Sequence, residues 1–242
     1  MYCISRNTTT PFKTHYLYNM NTTARLSAKL ISIIMHPMFM MTYVLLVLFK
    51  FNPYLFGLAG DKGQELFLIT VVILSVFFPL IAVLMMKALN IIESLEMKSK
   101  EERVGPLIVT GIFYLWLFMN IKDNTNISEV FSFFVLGSTI ALFISFFVNN
   151  FSKISLHSVG MGGLLMGIFF IRQYFTYGHA LISLGSLGVY NIHINLILGV
   201  VILLCGLVAT SRLILEAHDT RDITGGFLVG VVAQIIAFNI FF

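Results

Sequence analysis

Residues 211–222 gather Arg212, Glu216, His218, Asp219, Arg221 and Asp222 in a chain that is 58% hydrophobic and only 11% charged. His218 and Asp222 stand four apart, a spacing that puts both side chains on one face of a helix. A carboxylate so placed orients an imidazole and stabilises its charged form, as an activated histidine requires. Arg212, within two helical turns of them, adds a planar fork suited to phosphate or carboxylate. Two more polar clusters precede this one: Lys98, Lys100 and Arg103, and then Lys153, Ser155 and His157. Several fixed cations with two histidines, one backed by a carboxylate, suit a tetrahedral phosphate. The cations neutralise its oxygens while one histidine attacks and the other protonates the leaving oxygen. The sequence offers no Asp/Glu cluster for magnesium and no His/Cys set at zinc spacing. The chemistry expected needs neither metal nor cofactor.

The elements that must position these residues are membrane helices. A chain of 242 residues with 24 Phe and a mean hydropathy of +0.92 cannot cover itself with a polar surface. The fold class expected is all-α, a polytopic membrane bundle of about six to seven helices. Nucleic-acid binding is a poor reading of the net charge of +4, because no basic face with stacking aromatics is assembled. Cys3 and Cys205 make neither a disulfide framework nor a metal site. Residues 1–28 read as a polar tail, disordered or ahead of the true start, with Met20 an alternative initiator. Residues 29–242 read as one transmembrane domain.

Apolar runs at 30–49, 66–86, 107–121, 130–148, 157–175, 192–210 and 223–241 are each expected to cross the membrane. Pro106 is expected to open the third of them at its first turn, and 178–191 is open between loop, re-entrant segment and the start of a long helix. Even numbers of crossings separate the three polar clusters, so all three converge on one membrane face. Gly163 with Gly167, and Gly226 with Gly230, have the small-xxx-small spacing of close helix packing. His36 reads as a packing residue, His179 and His193 as interface residues, and Glu93, Glu96, Glu101 and Glu102 as ordinary solvated charge.

Ser211-Arg212, His218 and Asp222, in that spacing, resemble the third motif of the type 2 phosphatidic acid phosphatases, a family of membrane-embedded lipid phosphatases. Ile154-Ser155-Leu156-His157 resembles the second motif of that family, Pro-Ser-Gly-His, with Ile and Leu in place of Pro and Gly. Arg103 and Pro106 resemble the first motif, although two residues separate them where the family has none. The likeness covers residues 98–222. It implies that His218 is a nucleophile forming a phosphohistidine, that Asp222 orients it, and that His157 is the acid to the leaving alkoxide. Arg103, Ser155 and Arg212 would bind phosphate oxygens, joined by Lys153 and by Lys98 or Lys100 in place of the missing first-motif lysine.

The function expected is therefore phosphomonoester or pyrophosphate hydrolysis on a membrane lipid such as phosphatidate, phosphatidylglycerol phosphate, a prenyl pyrophosphate or a lipid A phosphate. The competing class is a non-catalytic scaffold or transporter with a degenerate site. Against a transporter, the two halves show no self-similarity with paired broken helices. The face opposite the motifs keeps only Lys50, Lys62, Lys122 and Arg172, which by the positive-inside rule puts the motifs in the cytoplasm. The family resemblance points the other way, to the outer face of a bacterial inner membrane, and that orientation is the one adopted.

Overall fold

Twenty or so consecutive apolar residues satisfy their own backbone only by coiling into helices, since lipid supplies no hydrogen-bond partners. The computed structural model of the chain describes residues 22–58, 60–97, 99–176, 178–183 and 188–242. Its helices are α1 (Thr22–Ile34), α2 (Met40–Phe51), α3 (Gly60–Val72), α4 (Phe78–Ala88), α5 (Glu101–Ile121), α6 (Glu129–Phe151), α7 (Leu156–Tyr174), α8 (Ile194–Ile214) and α9 (Thr220–Phe241). A 3-10 turn, Pro37–Phe39, joins α1 to α2, and a π turn, Ile73–Phe77, joins α3 to α4. Among the described residues six helical rods are long and apolar enough to cross a membrane. The fold is an all-α polytopic bundle.

Helix α7, expected to be a span, is not one of the six, because it carries His157, Arg172, Gln173 and a run of glycines. At 1.5 Å per residue its 19 residues measure about 28 Å, close to the hydrocarbon thickness. It packs against α9, α8 and α6 at the centre of the bundle. The surface is inverted relative to a water-soluble protein. Leu66, Phe147 and Leu203 stand exposed, while Ser132, Thr139 and Gln234 are buried.

Glycine sets the α7–α9 crossing. A Cβ on Gly230 would run into the Val159 carbonyl oxygen, and one on Gly162 into that of Phe227. Side chains at these positions would force the two helices apart, so Gly226 and Gly230 serve close packing, whereas a Cβ on Gly163 would meet only ordinary contacts and one on Gly167 would strike Phe134 of α6.

Four sequence expectations change. Helix α1 begins at Thr22, so the structural boundary falls before residue 28, and an Arg25–Glu216 ion pair ties its start to the loop after α8. Residues 1–21, with Met20, lie outside the described residues. Helix α5 opens at Glu101, with Pro106 inside it. The start is set by a capping box, in which Ser99 Oγ accepts from the Glu102 amide and the Glu102 carboxylate accepts from the Ser99 amide. Glu102 also accepts from the Glu93 and Ser94 amides, so it organises this loop rather than idling in solvent. The described residues within 178–191 form neither re-entrant helix nor plain loop. They hold most of an antiparallel hairpin, β1 (His179–Ser183) with β2 (Val189–His193), in which His179 pairs with His193.

Candidate active site

The loop between α8 and α9 is built by three local devices. Helix α8 stops where Glu216 enters the left-handed region at φ 52°, which a non-glycine residue seldom adopts. Asp219 then caps α9, its Oδ1 accepting from the Asp222 amide at 2.8 Å. Asp222 falls in the first turn of α9, where the helix dipole favours a carboxylate. Its Oδ2 accepts from His218 Nδ1 at 3.0 Å. The pair therefore spans a helix start. His218 lies in the loop, not on the shared helical face that the four-residue spacing suggested. Because a carboxylate only accepts, Nδ1 carries the hydrogen and Nε2 keeps its lone pair. Burial holds the His218 imidazole below its ordinary value, at about 4. The Asp222 hydrogen bond pulls the other way, and the Arg212, Arg103 and Lys153 cations reinforce the burial.

Arg103, in the first turn of α5, is buried. Its Nε donates to the Met97 carbonyl at 2.9 Å and Nη1 to the Ile154 carbonyl at 3.3 Å, so the first cluster is clamped to the second. Arg212, in the last turn of α8, has a buried Nε with no acceptor among the described residues. His157, in the first turn of α7, donates from Nε2 to the Ser32 carbonyl at 3.0 Å.

A cavity of about 210 Å³ collects these groups: His36, Arg103, His157, Arg212 and His218 all line it. Its other walls are largely apolar, with Met41, Val83, Leu107 and Leu142. Arg103 and Tyr114 both line it and lie eleven residues apart on α5, so it runs on the order of 16 Å into the bundle. Gln234 lines it too, with Oε1 buried and without a partner among the described residues. The chemistry available is that of a cationic, imidazole-rich recess opening into an apolar slot.

Three expected phosphate ligands are committed elsewhere. Ser155 is fully buried; its Oγ accepts from Ser158 Oγ and its amide donates to the Asp222 carbonyl. It braces two loops and is not among the cavity-lining residues. Lys153 Nζ donates to the Ala217 carbonyl at 2.7 Å, and Lys100 Nζ to the Phe151 carbonyl at 3.0 Å. Neither lines the cavity, and each is held on a main-chain carbonyl, at the end of α6 or in the loop after α8. Lys98 lies outside the described residues.

Two residues whose sequence context pointed to packing and to solvated charge, His36 and Glu96, also line the cavity. His36 does pack against a neighbour, but that neighbour is His157, with ring centroids 5.1 Å apart, and the place is the cavity. The available signal for His36 was Pro37. A proline inside a membrane span frees backbone groups, which are tolerated where protein or a cavity receives them.

Compared with protein-family models, with curated proteins and with solved structures, the chain matched none. The class that the fold defines is a multi-pass helical membrane protein.

Proposed function

We propose that this chain is an integral-membrane lipid phosphatase of the type 2 phosphatidic acid phosphatase kind, hydrolysing a phosphomonoester or pyrophosphate without a metal, through a phosphohistidine. The observation that carries this reading is the shared cavity. A carboxylate-backed imidazole, a second imidazole and two arginines line or adjoin one recess that continues into an apolar slot. An anion with an apolar chain is the ligand that such a recess complements.

In the first half-reaction the lone pair of His218 Nε2 attacks phosphorus, and the bond to the leaving oxygen breaks. That oxygen takes a proton from Nδ1 of protonated His157, whose Nε2–H stays on the Ser32 carbonyl. Asp222 stabilises the charge that develops on His218. In the second half-reaction water attacks phosphorus, its proton returns to His157 Nδ1, and the phosphorus–nitrogen bond breaks to release phosphate. Arg103 and Arg212 offset the charge on the equatorial oxygens throughout.

The substrates proposed are phosphatidate, phosphatidylglycerol phosphate, prenyl pyrophosphates and lipid A phosphates, with the bilayer as partner and the site on the outer face of a bacterial inner membrane. Phosphate release by purified protein in detergent, against this panel and with chelator present, tests the reading. Release from at least one lipid is expected. Absence of release from all of them favours a non-catalytic scaffold or transporter.

A further inference from the structure

Three imidazoles meet in the cavity, and their partners decide which nitrogen of each carries the hydrogen. Asp222 Oδ2 and the Ser32 carbonyl can only accept, so His218 is protonated on Nδ1 and His157 on Nε2. At His36 the partner is of the opposite kind. The Met38 main-chain N–H can only donate, and it reaches His36 Nδ1 at 3.4 Å. Neutral His36 therefore carries its hydrogen on Nε2. Of the three neutral rings, it is the one whose second nitrogen is a donor.

Pro37 builds this arrangement. It has no N–H of its own and interrupts the ladder of the first span. The His36 amide turns to the Ile33 carbonyl at 3.3 Å, and the Ser32 carbonyl, which would be its partner in an unbroken helix, receives His157 Nε2 instead. One break thus fixes the tautomer of His157 and holds the His36 ring edge-on against it. Both rings line the cavity with Arg212 and His218.

We propose that His36 is a third phosphate-contacting histidine, donating a hydrogen bond from Nε2 to a non-bridging oxygen of the phosphoryl group as it is transferred. The proposal rests on the phosphatase reading above. No proton leaves His36 in either half-reaction. Its effect is that of an oriented neutral donor aimed where negative charge gathers in the transition state. Being held by the main chain, it needs no reorganisation at the moment of transfer.

The test uses the full chain in detergent, with isotope-labelled histidine, titrated with orthovanadate as a mimic of the transferring phosphoryl group. The His36 ring should show the Nε2–H tautomer by nitrogen NMR, and vanadate should shift that signal. His36→Ala should lower kcat roughly 10²-fold, as loss of one oxyanion donor does, and weaken vanadate inhibition; His36→Asn, which keeps an N–H donor, should recover part of both. If the unsubstituted protein hydrolyses lipid phosphates while His36→Ala matches it in kcat and vanadate inhibition, His36 merely packs. The inference then fails and the phosphatase reading stands. Should His36→Ala not fold, the unsubstituted protein decides: a His36 signal unmoved by vanadate that shifts His218 overturns the inference. If the unsubstituted protein neither hydrolyses nor binds vanadate, the phosphatase reading falls and His36 with it.

Discussion

The main-chain N–H of Ser155 donates to the carbonyl oxygen of Asp222 at 3.2 Å. The loop that presents His157 is thereby joined through backbone to the helix start that aligns His218. That bond requires α7 and α9 to approach almost to backbone contact, and one turn beyond Asp222 the approach is made by Gly226.

A Cβ at Gly226 would lie 2.6 Å from the Ser155 carbonyl oxygen and 3.3 Å from Ser158 Cβ. Main chain cannot yield as a flexible side chain does. Gly226→Ala should therefore destabilise the fold by about 1–3 kcal/mol, the usual cost of overpacking, and should lower phosphatase activity by more than the loss of folded protein explains. Thermal unfolding in detergent beside specific activity checks both. Unchanged unfolding would mean that the helices part without cost.

His218 gives the fold a pH dependence whose sign follows from burial. Its folded value lies at about 4, below the ordinary value of 6.5. Between those values the unfolded chain binds more protons than the folded one, so stability rises with pH in this window. Lowering the pH from 7 towards 4 should lower the unfolding temperature, and His218→Gln should make that dependence shallower. The same lowered value keeps His218 neutral at pH 7, as the proposed nucleophile requires. An identical pH slope in His218→Gln would assign the effect to other groups.

The spans were legible because length and apolar composition alone dictate membrane helices, as for 130–148, which lies within α6 (Glu129–Phe151). Their starts were less so. The Ser99–Glu102 capping box was written in the sequence, yet Pro106 drew attention to itself as the more familiar helix opener. The hairpin was missed because its strands are short and partly exposed, leaving little hydrophobic pattern. His218, Asp222 and Arg212 stood out as charges among apolar neighbours. His36 did not, since its meaning depends on the first span meeting α7, a contact between residues over a hundred positions apart. Ser155 shows the converse: its motif position suggested a ligand, whereas packing makes it a brace.

Apart from Asp222, which is engaged by Nδ1, the charges acting on His218 are the cations Arg212, Arg103 and Lys153, which repel a divalent ion and attract phosphate oxygens. Activity should therefore survive excess EDTA. Complete loss, restored by Mg²⁺ or Zn²⁺, would sink the histidine-nucleophile mechanism.

The two half-reactions separate His218 from His157. If His218 is the nucleophile, His218→Ala abolishes turnover of every substrate, because no phosphoenzyme forms. His157→Ala should be selective. With Nε2 held on the Ser32 carbonyl, the proposed mechanism has Nδ1 deliver the proton, and a proton matters most for a poor leaving group such as the alkoxide of a phosphomonoester. A departing phosphate, as from a prenyl pyrophosphate, already stabilises its charge. General acid help amounts to roughly 10²–10⁴-fold, so the monoester should lose about that factor and the pyrophosphate distinctly less. Asp222→Asn should fold yet react slowly, since it no longer stabilises the imidazolium that forms. Rapid acid-free quenching with radiolabelled lipid should trap label on the unsubstituted protein and none on His218→Ala. Label retained by His218→Ala would move the nucleophile elsewhere, and equal losses on both substrates in His157→Ala would remove its role as the acid.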